Sequence, residues 1–203
     1  MANVSRISGL APVSYLNGSP WNGQAREYYI VSSDTNDYAI GDPVDISGGA
    51  DGNGVQGVVL ATAGNNSAAN KAVGAIVGTR GTKYGSGMVD PSGLDTIIIP
   101  ATKTKNYYVM VADDPEIVFE IQEGGTGTAL AATEVGLNVD LASGTNNGYV
   151  SGWVIDNAAT STSANYQLKL LGLSQRADNA FGAYAKWLVT INNHRRKLGV
   201  AGV

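Results

Sequence analysis

The stretch Tyr107-Tyr108-Val109-Met110-Val111-Ala112-Asp113-Asp114-Pro115-Glu116-Ile117-Val118-Phe119-Glu120-Ile121 decides the fold class. Tyr107–Val111 and Ile117–Ile121 are β-branched and aromatic, the composition of strands, and Asp113-Asp114-Pro115 between them is turn chemistry. Successive residues of a strand point to opposite faces, so Tyr107 and Tyr108 put one ring on each. The same grammar recurs along the chain. Tyr28-Tyr29-Ile30-Val31 runs into the turn Ser33–Asp37. Gly41-Asp42-Pro43 sets up Val44-Asp45-Ile46, and Gly57–Leu60, Val73–Val77 and Thr96–Ile99 follow. Asn138–Leu141, Gly148–Val150, Trp153–Ile155, Tyr166–Leu171 and Ala185–Ile191 continue the series. Thr79–Gly93 reads as a long exposed loop. Thr128–Val135 is the best helical candidate, two turns stopped by Gly136. The expectation is an all-β protein, a jelly-roll-like sandwich or barrel of about 8–10 short strands with one short helix.

Composition agrees. Of 203 residues 27 are Gly, nearly twice the usual ~7%. Each Gly inside a helix costs roughly 1 kcal/mol, so such a chain favours turns over long helices. Cys is absent, which excludes a disulfide framework and any thiolate metal site. The formal charge is −4; an acidic surface repels phosphate backbones, so no nucleic-acid partner is expected. Met1–Leu10 holds no apolar run of signal-peptide length, and no stretch nears the ~18 apolar residues of a membrane helix, so no membrane partner is expected.

Three regions are expected: an extended N-terminal arm over 1–27, a β-domain over 28–194 and a C-terminal tail over 195–203. The arm carries turn signals at Asn17-Gly18-Ser19-Pro20 and Asn22-Gly23, with apolar anchors at Leu10, Tyr15 and Trp21 among others. Either it lids the protein's own core or it docks on a neighbouring subunit. On the second reading, deleting residues 1–24 leaves a folded domain. Within the β-domain, Tyr28–Val31 echoes Tyr107–Met110, Ile40–Ile46 echoes Val135–Leu141, and Ile76-Val77-Gly78 echoes Leu170-Leu171-Gly172. The ordered echoes fit a diverged duplication of 28–100 as 107–191, or the self-similarity of any Gly-rich β chain.

The catalytic inventory is thin. His194 is the only His; it reads as a surface residue of a basic tail, and neither a triad nor a His-based zinc site can be assembled around it alone. Asp113 and Asp114 read as solvated turn formers. Nothing in the spacing of Glu116, Glu120 and Glu123 selects a carboxylate pair. Gly52-Asn53-Gly54-Val55-Gln56-Gly57 matches a dinucleotide pattern but lacks the preceding strand and following helix that the pattern needs. No enzymatic activity and no cofactor or metal are expected. Arg195-Arg196-Lys197 is the one dense positive cluster, either a solvated strand end or a contact with an acidic protein. Ten Tyr and three Trp against two Phe suit partly wet interfaces; one ring of each Tyr pair is expected to face out.

Several stretches together resemble the capsid cement, or decoration, proteins of tailed, short-tailed double-stranded DNA phages. They are Met1–Arg6, Asn22–Ala25, Val111–Pro115 with Phe119–Gln122, Leu170–Leu173 with Arg176–Asn179, Ala185–Val189 with Ile191–His194, and Gly199–Val203. The resemblance implies a β-barrel or jelly-roll protein on the outer surface of the virion. It would be a dimer or trimer of itself, bridging the major capsid protein of the expanded shell. The family carries no catalytic residues. Leu10, Tyr15 and Trp21 in the arm and Arg195, Arg196 and Lys197 in the tail are the contact candidates. The alternative is a carbohydrate-binding or host-adhesion module, which needs an exposed aromatic platform, with Trp153 a candidate member.

Overall fold

A computed structural model describes residues 3–82, 97–125, 127–197, 199 and 201–202. The protein is all-β. Among the described residues eleven strands are formed: β1 (Ala11–Tyr15), β2 (Arg26–Ile30), β3 (Pro43–Ala50), β4 (Gln56–Leu60), β5 (Gly74–Thr82), β6 (Tyr107–Ala112), β7 (Ile117–Gln122), β8 (Asn138–Ala142), β9 (Val154–Ser161), β10 (Leu168–Leu173) and β11 (Lys186–Ile191). The expected helix is a single 3-10 turn, Ala132–Glu134. Its start is held extended, because the Leu130 N–H donates to the Glu123 carboxylate and the Ala131 N–H to that of Glu134.

Strands β2–β6 close a barrel in the order β2-β4-β3-β5-β6, and the other six form a sheet in the order β1-β7-β11-β10-β8-β9. Without β1, the sheet repeats the barrel. Strands β7, β8, β9, β10 and β11 take the places of β2, β3, β4, β5 and β6. The sheet curls until β9 meets the end of β7, with a parallel bridge between Glu123 and Ile155, as β2 meets β4 in parallel at Tyr29 and Gly57.

The correspondence reaches single hydrogen bonds. The Gly41 N–H donates to Ile76 O at 2.8 Å, and the Gly136 N–H to Leu170 O at 2.9 Å. Both glycines lie in the left-handed region, at φ 94° and 91°, where a Cβ is disfavoured. The register of β5 against β6 slips between Ile76 and Gly78, and that of β10 against β11 between Leu170 and Gly172. The equivalent segments are therefore 26–112 and 117–191. Tyr28 and Val109 are neighbours across β2 and β6 of one barrel, so the counterpart of Tyr28 is Ile121 in β7, not a residue of Tyr107–Met110.

Each unit has its own core. Tyr28, Ile30, Tyr38, Val44, Val58, Val73, Ile76, Ile99, Val109 and Val111 fill the first. Phe119, Ile121, Trp187, Val189, Leu168, Leu170, Leu141 and Ile155 dominate the second, and Ala61, Ala72, Ala75 and Ala112 of the first barrel join it. Small side chains on that wall let the two units pack closely.

Of the expected arm over 1–27, the described residues 3–27 lie on the protein's own core, the first of its two readings. Leu10 is 1% exposed inside the second core. Residues 11–15 pair with β7, Ala11 opposite Glu120 and Tyr15 opposite Ile117. The chain then turns back at Asn17-Gly18, with Tyr15 N–H to Ser19 O at 2.9 Å and Trp21 N–H to Val13 O at 3.1 Å. The edge of β7 offers unpaired backbone groups, and β1 satisfies them. Of the expected loop Thr79–Gly93, residues 79–82 belong to β5 and the rest lies outside the described residues.

Candidate protein-contact surface

The tail cations are all held within the chain. The Arg195 guanidinium makes a two-pronged contact with the Asp45 carboxylate, Nε to Oδ1 at 2.7 Å and Nη2 to Oδ2. Arg196 Nη1 lies 2.5 Å from Asp113 Oδ2, and Lys197 Nζ lies 2.7 Å from Glu116 Oε1. Their partners come from β3 and from the β6–β7 joint, so the triplet ties the chain's end across both units. In the arm, Leu10 is core, while Tyr15 and Trp21 are half-buried against that core. Tyr15 also donates its hydroxyl to Asn22, and the Trp21 indole N–H reaches Gln24 O.

His194 is not a surface residue. It is fully buried, its Nδ1 accepts the Arg196 N–H at 3.0 Å, and burial lowers its pKa below the ordinary histidine value. Asp113 is not solvated either: it accepts from the Tyr28 hydroxyl at 2.6 Å and from Arg196, at the joint between β6 and β7. Burial, then the Asp113 bond, push the Tyr28 phenol up to about 12. Glu116, Glu120 and Glu123 point to the joint, the outer sheet face and the core respectively, so they do not converge.

The outward rings of the Tyr pairs are covered rather than offered. Tyr29 and Tyr108 pack at 6.5 Å between centroids. The β3–β4 hairpin folds over them, with the Tyr108 hydroxyl donating to Asp51 at 2.5 Å. Trp153 is 3% exposed and forms no platform; it sits in the second core with Trp187.

Exposed apolar side chains gather elsewhere. Five of them, Val4 (63% exposed), Ile7, Tyr149 (66%), Phe181 (48%) and Tyr184 (39%), are carried by residues 3–8, by the β8–β9 connection and by the β10–β11 connection that binds Asn3. The segment of residues 3–8 lies extended over the second unit. The Asn3 amide donates to Ala180 O at 2.7 Å and Ala183 O at 3.1 Å, and its oxygen accepts the Ala180 N–H. The Arg6 N–H donates to Gln122 Oε1 at 2.6 Å.

The β10–β11 connection, 174–185, is itself pinned. Asn179 donates to Ser174 O and Lys186 O, both at 2.8 Å, and accepts the Lys186 N–H. Phe181 leans on buried Trp187, centroids 5.6 Å apart. Tyr184 stands at φ 62°, a region that costs a bulky residue of order 1 kcal/mol. Its ring lies over Gly125, where a methyl group would come within 3.0 Å.

Two clefts flank residues 3–8. One of about 160 Å³ is lined by Asn3, Val4, Arg6, Arg176, Asp178 and Tyr184, among others. The other, of about 560 Å³, runs between Ser5–Ser8 and the β8–β9 connection at Thr145, Asn147, Ser151 and Gly152, and is lined also by Lys186.

A rigid rim of aromatic rings with Arg at its margin is the composition of protein-contact hot spots. The contact reading of the sequence placed no candidate here. The readable signal was Phe181-Gly182-Ala183-Tyr184, two large aromatics inside a connection with no strand to bury them. Comparison of the chain with protein-family models, curated proteins and solved structures finds no match in any of the three.

Proposed function

We propose that this protein binds the outer surface of an expanded phage capsid and bridges major capsid subunits, a cement protein that acts by contact and catalyses nothing. The observation that carries the reading is the exposed cluster Val4, Phe181 and Tyr184, locked in place by Asn3 and Asn179. A backbone already held in place in the free protein lowers the ordering cost of docking. A standard interface takes about 800 Å² from each partner, under a tenth of the 9314 Å² that this chain exposes. Room remains for a second capsid subunit or a second copy of the chain.

The mechanism is linkage. A protein that binds only the expanded lattice stabilises it by about 2.7 kcal/mol per site at a hundredfold excess over Kd, and the lattice repeats the site many times.

The test is co-sedimentation with undecorated expanded and unexpanded shells. Wild-type protein is expected to pellet with expanded shells only. The double variant Phe181→Ala, Tyr184→Ala is expected to stay folded and to bind about 30-fold more weakly, the loss of roughly 2 kcal/mol typical of a hot spot. Wild-type protein that ignores both shells, or binds a glycan array instead, would overturn the proposal.

A further inference from the structure

Charge on this face is unevenly matched. Glu120 accepts from Ser174 Oγ at 2.5 Å and Arg176 Nη1 at 3.2 Å, with Lys186 Nζ at 3.5 Å. Asp178 faces Arg176 Nε at 3.1 Å. Two carboxylates are thus shared by Arg176 and Lys186, and Arg6 is left over. Its guanidinium makes no ion pair or hydrogen bond among the described residues, and it lies near Asp178 without bonding to it. Arg6 lines both clefts. In the larger one the ionic groups are Arg6 and Lys186, and the other polar side chains are hydroxyls and an amide: Ser5, Ser8, Thr145, Asn147 and Ser151. Among the described residues no carboxylate lines it, in a chain of net charge −4.

We infer that this cleft seats a carboxylate side chain from an acidic, extended segment of the partner protein, with Arg6 as its docking cation. The inference rests on the cement reading for the identity of the partner, but not for the chemistry. An arginine fork matches a carboxylate with two parallel hydrogen bonds. Ser5, Ile7 and Ser8 lie beside it in the cleft wall, the two hydroxyls as further hydrogen-bond donors to the carboxylate. Arg6 stays exposed on the segment pinned by Asn3 and by the Gln122 bond, so its backbone is already placed.

The test has two arms. In the first, wild-type protein, Arg6→Ala, Arg6→Glu and the control Lys71→Glu are co-sedimented with expanded shells at several salt concentrations. Arg6→Ala is expected to weaken binding about tenfold and to flatten its salt dependence. Arg6→Glu is expected to abolish binding, and Lys71→Glu to change nothing. In the second arm, hexaglutamate is titrated into wild-type protein and followed by NMR. Shifts at Arg6, Lys186 and Asn147 that vanish in Arg6→Glu are expected.

Arg6→Glu protein that binds shells or hexaglutamate like wild type would overturn the inference. So would a peptide that shifts no resonance of this cleft. Failure of wild-type protein to bind shells, with the peptide arm intact, sinks the capsid reading and leaves the acidic ligand standing.

Discussion

Replacing Glu123 by Gln is expected to stabilise this protein at neutral pH. Glu123 follows the last residue of β7 and is fully buried. In the repeated topology it stands where the first barrel has Ile30, a core residue. Its Oε2 accepts the Leu130 N–H at 3.1 Å and the Trp187 indole N–H at 3.2 Å. Oε1 finds no partner among the described residues. Burial pushes the carboxyl's pKa above its ordinary 4.5, and the two hydrogen bonds only partly oppose this.

The sign follows from linkage. With the folded pKa above the unfolded one, the unfolded chain gives up its proton first as pH rises. Stability is therefore lost between pH 4.5 and the folded pKa, and the cost is constant above it. Gln carries no charge at any pH, and its oxygen can keep both hydrogen bonds. Its amide leaves an NH2 unpaired where Oε1 now lies, which offsets part of the relief. A net gain of about 1 kcal/mol at pH 8 is expected, or a rise of about 2–4 °C in Tm for a chain of this size. Urea melts of both proteins from pH 4 to 8 measure it. The difference should shrink toward zero at pH 4. A variant less stable than wild type at pH 8, or a difference that ignores pH, would refute the reasoning.

Deleting residues 1–24 removes β1 and the core residue Leu10, so the truncated chain is expected to aggregate or melt far below wild type in a thermal scan. Leu10→Ala alone should cost about 2–5 kcal/mol by urea denaturation; a loss under 1 kcal/mol would mean that the segment is not part of the core. Gly41→Ala puts a methyl group 2.1 Å from Ser8 O at a φ of 94°, and a loss on the order of 3 kcal/mol is expected in the same assay, whereas Gly18→Ala, with nothing within 4 Å, should cost only its backbone strain.

Local strand chemistry was readable because period and turn residues act over a few positions. Tyr107–Val111 and Ile117–Ile121 form β6 and β7, and Asp113–Pro115 joins them. What did not show was which strand pairs with which. The resemblance of Tyr28–Val31 to Tyr107–Met110 reflects two strands with similar surroundings in one barrel, because like-facing neighbours share composition as copies do. Which of its two readings the arm follows did not show for a related reason. Leu10, Tyr15 and Trp21 are irregularly spaced because the segment bends from an extended strap into a hairpin, each anchor meeting a different part of the second core. The tail cations looked available because their carboxylates, Asp45, Asp113 and Glu116, lie 150, 83 and 81 residues away in the chain.

The places where the two five-stranded units differ coincide with the proposed contact face. A shared topology fixes what each unit needs in order to fold: the paired glycines 41 and 136, the slips at Gly78 and Gly172, and the parallel closure. The β3–β4 connection is the short turn 51–55, bound down by Tyr108. Its counterpart between β8 and β9 spans 143–153, carries exposed Tyr149 and walls the larger cleft. The strap of residues 3–10 and strand β1 have no equivalent on the first barrel among the described residues. Val4, Arg6, Tyr149 and the strained Tyr184 all belong to these departures or to the 174–185 connection that the strap covers. None of them is needed to close a barrel, and Tyr184 carries a conformational burden, φ 62°, that folding alone does not require. Such a burden persists where contact with something outside the chain offsets it. The added face therefore supports the contact reading more firmly than anything in the repeated framework.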